Sequence, residues 1–287
     1  MIIDKTIPAV TPALAAQLEN SITFFSAEKQ RMLSLLPGNP YGVFIRSFGK
    51  AHAFLAQRAN SAAFNRVHHI SKNDLPYLDA ILDWYRSYDA VCSFEIIPLL
   101  TSPSLLWHFA KRGLYQSGFY NVLYGLPGTE TARFPHIDIR AVEPEEKDLF
   151  ADVYFTSFGV SKTSANNYVR DSIRTLIDIS SNQCFFAFIE KRVAAIAVLS
   201  VTQQIGYLGL AATLPSFRGY GCHKALLQVR IEKAASQGCQ LVVGQAGVGT
   251  ISQRNMERLG LRLAYTKVDW TIYSERQEPN SFDPFNK

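Results

Sequence analysis

Apolar and polar residues alternate along the chain with the two periods that distinguish helices from strands. Leu75, Leu78, Ile81, Leu82 and Tyr85 recur three or four positions apart, which is typical of one buried helix face. Short apolar runs between Gly, Pro or polar residues predict strands. In the first half we predict helices over 11–36, 75–87 and 102–112, and strands over 41–47, 51–57, 63–70, 91–97 and 118–124.

The second half shows a similar order with more elements. We predict helices over 145–156, 165–177, 221–237 and 252–259, and strands over 138–140, 184–190, 193–203, 206–212, 241–245 and 262–273. The order strand, long helix, strand, short helix, strand occurs over 63–124 and again over 206–273, which predicts two α/β halves of related fold. A Pro- and Gly-rich stretch lies between them, so we predict domains at residues 1–134 and 135–287.

Composition and charge narrow the function classes. The 287 residues carry 29 Lys and Arg against 24 Asp and Glu, a net charge of +5, and bases and acids are interleaved rather than clustered. This pattern argues against a nucleic-acid partner and fits a phosphate-bearing small ligand. The most apolar stretch is interrupted by Glu190, Lys191 and Arg192, which excludes a membrane span there. Asp4 interrupts any secretory signal, so we predict a cytoplasmic protein.

The cysteines predict no chemistry of their own. They lack the CxxC spacing of metal and redox sites, so we expect reduced, structural thiols. His68 and His69 are adjacent on a predicted strand and would point to opposite faces, which argues against a metal site. The cysteines are Cys92, Cys184, Cys222 and Cys239.

The segment over 206–238 carries the clearest chemical signal. A predicted strand leads into a loop with Arg218, Gly219 and Gly221, and a helix begins at once. The first backbone N–H groups of a helix have no helical partner and bind anions, and glycine lets an anion approach closely. Lys224 and Arg218 would add positive charge. A tight turn with structural glycines is the alternative, since neither a Walker loop nor a full dinucleotide-binding fingerprint is present. Within the helix we expect Arg230 on the exposed face.

The run from Arg218 to Leu227 resembles the coenzyme A pyrophosphate loop of the GNAT N-acetyltransferase superfamily. That loop has Arg or Gln, two residues, Gly, one residue, and Gly or Ala; here Gly221 stands at the first Gly and His223 at the second small position. Downstream, SQRNMERLGLRLAYTKVDW resembles the last helix and strand of the family, with Leu259-Gly260 at the helix end. The resemblance covers about residues 138–273.

The resemblance implies a mixed, mostly antiparallel sheet flanked by helices, with acetyl-CoA as donor and no metal. The sheet would split beside the strand over 206–212. Backbone groups of Leu210, Ala211 and Ala212 would hold the pantetheine arm, and a neutral amine would attack the thioester directly. The residues implied to cradle the pyrophosphate are Arg218, Gly219, Tyr220, Gly221, Cys222, His223 and Lys224.

The sequence departs from the family pattern at the proton donor. Met256 stands where the family often has a tyrosine that protonates the leaving thiolate, and a thioether has no proton to give. Ser252, Asn255, Tyr265 and water remain as candidates. No carboxylate lies on the strand over 206–212, where some relatives have a general base, so water is the expected base. Of other acids, Asp269 is expected to point outward.

The first half resembles a GNAT half that has lost its cofactor site. It has no glycine loop before its long helix, where Asn73 and Asp74 are expected to cap the helix start. The leading hypothesis is therefore an N-acetyltransferase that acts on an amine of a small molecule or peptide. The alternatives are a non-catalytic acyl-CoA-binding module and an oligomeric scaffold. The acceptor, the acyl chain length and the oligomeric state, a homodimer included, stay open.

Overall fold

A computed structural model describes residues 6–59, 62, 64–128, 134–161 and 166–272 of the chain. Within these residues the α-helices are α1 (Pro12–Ser34), α2 (Leu78–Ser87), α3 (Pro103–Lys111), α4 (Lys147–Phe158), α5 (Asn167–Arg174), α6 (Cys222–Ser236) and α7 (Ile251–Arg258). The strands are β1 (Val43–Phe48), β2 (Ala51–Ala56), β3 (Arg66–His68), β4 (Ser93–Ile96), β5 (Leu114–Gly125), β6 (Asp138–Ala141), β7 (Asn182–Ile189), β8 (Arg192–Thr202), β9 (Ile205–Thr213), β10 (Leu241–Gly247) and β11 (Arg262–Ile272).

Most predicted elements are present, with bounds that differ by a few residues. Strand β5 begins at Leu114 instead of residue 118. Helix α2 begins at Leu78, because Pro76 lies in a preceding 3-10 helix. The predicted cap is wrong in part: Ser71 is the N-cap of this 3-10 helix and Asp74 completes its capping box, while α2 itself follows Tyr77 without a side-chain cap. The predicted linker residues 129–133, together with Ala63, Ala165 and Tyr273, lie outside the described residues.

One mixed, mostly antiparallel sheet runs through both halves of the described chain. Its order is β1-β2-β3-β4-β11-β5-β10-β9-β8-β7-β6. Strand β5, from the first half, pairs with β10 and β11, and β11, from the second half, pairs with β4. The last described strand of each half is therefore hydrogen-bonded to a strand of the other half. The division at residue 134 stays a prediction.

Helix α1 spans the two halves on one face of the sheet. It begins after Thr11, whose hydroxyl accepts from the Leu14 N–H at 3.2 Å, and Pro12 occupies its first turn. Its apolar side packs with α4 and with inward residues of β8 and β9 in one core, while its far end packs on β1. Helices α6 and α7 cover the opposite face of the second half. Helices α2 and α3 cover strands of the first half.

A group of buried charges, here called the buried ion cluster, lies beneath α1 and joins the two halves. It consists of Glu19 (α1), Arg66 (β3), Glu95 (β4), Lys267 and Asp269 (β11). Lys267 is 0% exposed, and its Nζ lies 3.1 Å from Glu19 and 2.8 Å from Glu95. Arg66 lies 2.7 Å from Glu95 and 2.8 Å from Asp269. The prediction that Asp269 points outward is therefore wrong.

The ion pairs favour the charged forms of Lys267 and Glu95, whereas burial raises the pKa of Glu19 and of Asp269. Burial alone would lower the pKa of Lys267, but the carboxylates of Glu19 and Glu95 raise it above its ordinary value. Burial alone would raise the pKa of Glu95, but Lys267, His68 and Arg66 hold it well below the usual range. Removal of one partner would leave a buried charge uncompensated.

Candidate functional site

The sheet opens between the parallel strands β9 and β10. They pair only over Ile205–Leu208 and Leu241–Gly244. Beyond Leu208, β9 continues along β8, while β10 continues along β5. We call the opening between residues 209–213 and 245–247 the strand gap. The split in the sheet is where the sequence predicts it, and Leu210, Ala211 and Ala212 lie on its β9 side.

The loop between β9 and α6 presents the start of the helix without a side-chain cap. Gly221 is the N-cap residue of α6, and no side chain there accepts a hydrogen bond from the first turn. Gly219 and Gly221 both have φ of +87°, a backbone conformation that favours glycine. A Cβ at Gly219 would meet no atom of the described residues within 4 Å, so these residues leave the loop open to an approaching ligand. The arrangement is suited to bind an anion.

Arg218 and Lys224, the two cations predicted for the loop, each lie beside a residue of another segment of the chain. Arg218 donates from Nη2 to the Ser157 carbonyl at the end of α4, at 2.8 Å. The Lys224 ammonium lies 5.9 Å from the ring centroid of Phe134. His136 Nε2 lies 3.0 Å from the Tyr220 carbonyl. Phe134 and His136 were not predicted as site residues, since they precede the loop by more than eighty positions and carry no local motif.

Helices α6 and α7 bring two predicted residues together. Asn255 Nδ2 lies 3.1 Å from His223 Nδ1, so the amide donates and the imidazole nitrogen accepts. Burial, followed by the nearby charge of Arg230, lowers the pKa of His223 to about 3. His223 is therefore neutral at pH 7, with its proton on Nε2.

We expect His223→Gln to reduce the acid sensitivity of the fold. The unfolded imidazole, with a pKa of 6.5, binds a proton that the folded one does not bind until about pH 3. The free energy of unfolding therefore falls as the pH drops below 6.5, by at most about 1.4 kcal/mol per pH unit. The variant lacks this contribution, and its amide oxygen can still accept from Asn255. Urea unfolding between pH 7 and 5 measures the difference; parallel curves for both proteins would contradict it.

The other two side chains predicted as proton donors are Ser252 and Tyr265. Ser252 is partly buried in the first turn of α7, after the Thr250 cap. The Tyr265 hydroxyl lies on the α1 side of the sheet and donates to Glu19 at 2.8 Å. The structure does not bring Tyr265 to the loop. Met256 is 3% exposed and packs so closely on Gly244 that a Cβ there would lie 3.0 Å from its sulfur.

Arg230 is buried, although the helix pattern predicts it on the exposed face of α6. It is 1% exposed. Its Nε donates to the Leu226 carbonyl at 3.0 Å, and its Nη1 donates to Val198 at 3.1 Å and to Gly209 at 3.3 Å. The prediction was wrong because the partners come from β8 and β9. Sequence reasoning thus missed a cation beside the strand gap.

Helix α1 borders the strand gap on the opposite face. The Tyr207 hydroxyl donates to the Gln245 side chain at 2.9 Å, across the point where β9 and β10 separate. The Phe25 ring packs edge-on against Tyr207, with centroids 5.3 Å apart. It also lies 3.4 Å from the Cβ position of Gly209. The first half of the chain therefore supplies one wall at the gap.

The sequence model described as Acetyltransferase (GNAT) family matches residues 148–261. This match covers α4 to α7 and includes both the glycine loop and the strand gap. Residues 148–261 are a GNAT domain. A comparison with curated proteins found no match.

Solved structures extend the GNAT fold to both halves. A GCN5-related N-acetyltransferase from Kribbella flavida is 15% identical, with 87% of this chain and 96% of that chain covered and a TM-score of 0.57. One from Sphaerobacter thermophilus is also 15% identical, with 93% and 96% covered and a TM-score of 0.55. A tandem GNAT protein from the clavulanic acid biosynthesis pathway is 13% identical, with 91% and 97% covered and a TM-score of 0.56. The fold is a tandem GNAT fold.

Metal ligands, membrane spans and disulfides are the remaining features of the described residues that bear on function. No group of three or more His, Cys, Asp or Glu side chains there is arranged to hold a metal ion. No helix there has the length and apolarity to cross a membrane. The four cysteines are buried and unbridged.

Proposed function

We propose that the protein is an acetyl-CoA-dependent N-acetyltransferase that acetylates an amine of a small molecule or peptide. The observation that carries the proposal is the uncapped start of α6, presented by two glycines at +87° beside the strand gap. The pyrophosphate would bind at this helix start. The pantetheine arm would enter the gap and pair with the backbone of Leu210, Ala211 and Ala212. Membership of the GNAT family supports acyl-CoA-dependent acetyl transfer in general.

The chain offers backbone groups rather than ionisable side chains for the reaction. A backbone N–H near Ala211 or Ala212, next to the register shift between β8 and β9 at Gly209 and Leu210, would polarise the thioester carbonyl. Residues 209–213 contain no carboxylate, so water would take the proton from the amine. Asn255 and Tyr265 already donate to His223 and Glu19, which leaves Ser252 or water as proton donor to the thiolate.

Calorimetry and thiol release test the proposal in two steps. We expect saturable binding of acetyl-CoA that is lost in Gly221→Glu, because a carboxylate would enter the anion site. We also expect one class within a panel of polyamines, amino acids, aminoglycosides and peptides to release thiol at least about 100-fold faster than buffer, with one N-acetylated product per thiol.

The outcomes separate the competing functions. Binding without acceleration by any amine would favour the acyl-CoA-binding module, which the buried Met256 makes the second candidate. An absence of acetyl-CoA binding would leave only a scaffold.

A further inference from the structure

Arg230 is a buried cation that no acid neutralises in the described part of the chain. Its three hydrogen bonds go to backbone carbonyls, and burial is the main influence on its pKa, with Tyr207 as the other. Burial lowers the pKa of Arg230 to about 9, so the guanidinium is still charged at pH 7. Lys267 and Arg66, by contrast, each form ion pairs with two carboxylates. A buried charge without a counter-charge is costly, and an anion beside it would be stabilised.

The guanidinium of Arg230 lies where the strand gap begins. Nη1 donates to Gly209, the first residue of β9 beyond its parallel pairing with β10. The same Nη1 donates to the carbonyl of Val198, which lies at the register shift between β8 and β9. Arg230 therefore reaches from α6 to the point where the gap opens.

The ionisable groups that interact with Arg230 are neutral near pH 7. The pKa of His223, on α6, is lowered to about 3, first by burial and then by Arg230. The pKa of Tyr207, on β9, is raised above its ordinary value by burial. Gln245 on β10 and Asn255 on α7 contact these two groups and carry no charge. Arg230 is thus the charged group among them.

We propose that Arg230 stabilises the thiolate of coenzyme A as it leaves the acetyl group. The inference rests on the proposed function. The amine nitrogen bonds to the thioester carbon and loses one proton to water, and the C–S bond breaks with its electron pair on sulfur. The products are the N-acetyl amine and the thiolate, which later takes a proton from solvent. A cation at the gap at pH 7 lets the sulfur leave as an anion, so the tyrosine that Met256 replaces is not required.

The stabilisation of the thiolate by Arg230 can be measured without an acceptor amine, as the ratio of the affinities for coenzyme A and desulfo-coenzyme A. Desulfo-coenzyme A lacks the thiol of coenzyme A and is otherwise the same molecule. Titration of protein groups therefore changes the affinities for the two ligands equally, and their ratio reports the thiol. If the bound thiol ionises more readily than the free one, the affinity ratio rises with pH, by up to about tenfold per unit. We expect this rise between pH 6.5 and 8.5 in the wild-type protein and in Arg230→Lys, and a flat ratio in Arg230→Met.

The kinetic expectation uses the same variants. Once an acceptor amine is known, Arg230→Met should lower kcat about 100-fold and leave KM for acetyl-CoA within about threefold, while Arg230→Lys recovers part of kcat. A merely structural role would weaken both ligands equally and leave the pH dependence of their ratio unchanged.

Each outcome has one meaning. A flat ratio in the wild-type protein, or a rise that persists in Arg230→Met, would overturn the role of Arg230 while the donor site stands. If neither ligand binds the wild-type protein, the proposed function itself fails. If Arg230→Met does not fold, the wild-type and Arg230→Lys ratios decide, since a flat ratio in either one contradicts the proposal.

Discussion

Lys267→Met is expected to lower the free energy of unfolding by about 3–5 kcal/mol, because it leaves two carboxylates of the buried ion cluster without their shared cation. Lys267 is fully buried between Glu19 and Glu95. Methionine fills a similar volume, so the lost stability reports charge rather than a cavity. Urea unfolding at pH 7, followed by circular dichroism, measures the effect.

Two comparisons identify the cause of that destabilisation. The exposed pair of Arg86 and Asp83 provides a control, since Arg86→Met should change stability by less than about 1 kcal/mol. The loss in Lys267→Met should also shrink as the pH falls from 7 to 5. Without Lys267, the pKa of Glu95 rises in the folded chain, which then binds a proton more readily than the unfolded chain. A loss below 1 kcal/mol at pH 7 would show that the cluster is not stabilised by Lys267.

Gly219→Asp is expected to weaken acetyl-CoA binding by about 10- to 100-fold relative to Gly219→Asn. The two variants have the same shape and the same strain at φ of +87°, and the Cβ enters open space in both. They differ in one negative charge, which in the aspartate would face the pyrophosphate. Calorimetry with acetyl-CoA measures the difference.

The opposite end of α6 provides the positional control for this charge. Gly238 also has positive φ, at +75°, and open space at its Cβ. Gly238→Asp should bind acetyl-CoA as the wild-type protein does. Equal affinities for Gly219→Asp and Gly219→Asn would place the pyrophosphate away from the loop.

The glycine loop could be predicted because its chemistry is local. The positive φ of Gly219 and Gly221 and the start of α6 all depend on residues within a few positions of one another. The turn between β7 and β8 is also local: it is predicted at Lys191 and Arg192 and lies one residue earlier, at Glu190 and Lys191, which both have positive φ. Such features need no knowledge of distant partners.

The burial of Arg230 and Asp269 could not be predicted in the same way. A charged residue in a periodic pattern is expected to face water, because an unpaired charge is rarely buried. Asp269 is buried because Arg66, about two hundred positions away, neutralises it. Arg230 is buried because carbonyls of β8 and β9 accept its hydrogen bonds. The pairing of β5 and β11 with strands of the other half could not be predicted either, because the apolar pattern of a strand does not specify its partner.

Because β5 pairs with β10 and β11, and β11 pairs with β4, the sheet cannot be completed until the end of synthesis is near. Strand β4 leaves the ribosome early, yet its neighbour β11 is made about 170 residues later. Until then β4 has an unpaired edge, and β5 waits for both of its partners. Unpaired edges recruit other chains, and pairing over such separations is slow. We therefore expect the chain to be most prone to aggregation after the first half has been synthesised and before β10 and β11 are available.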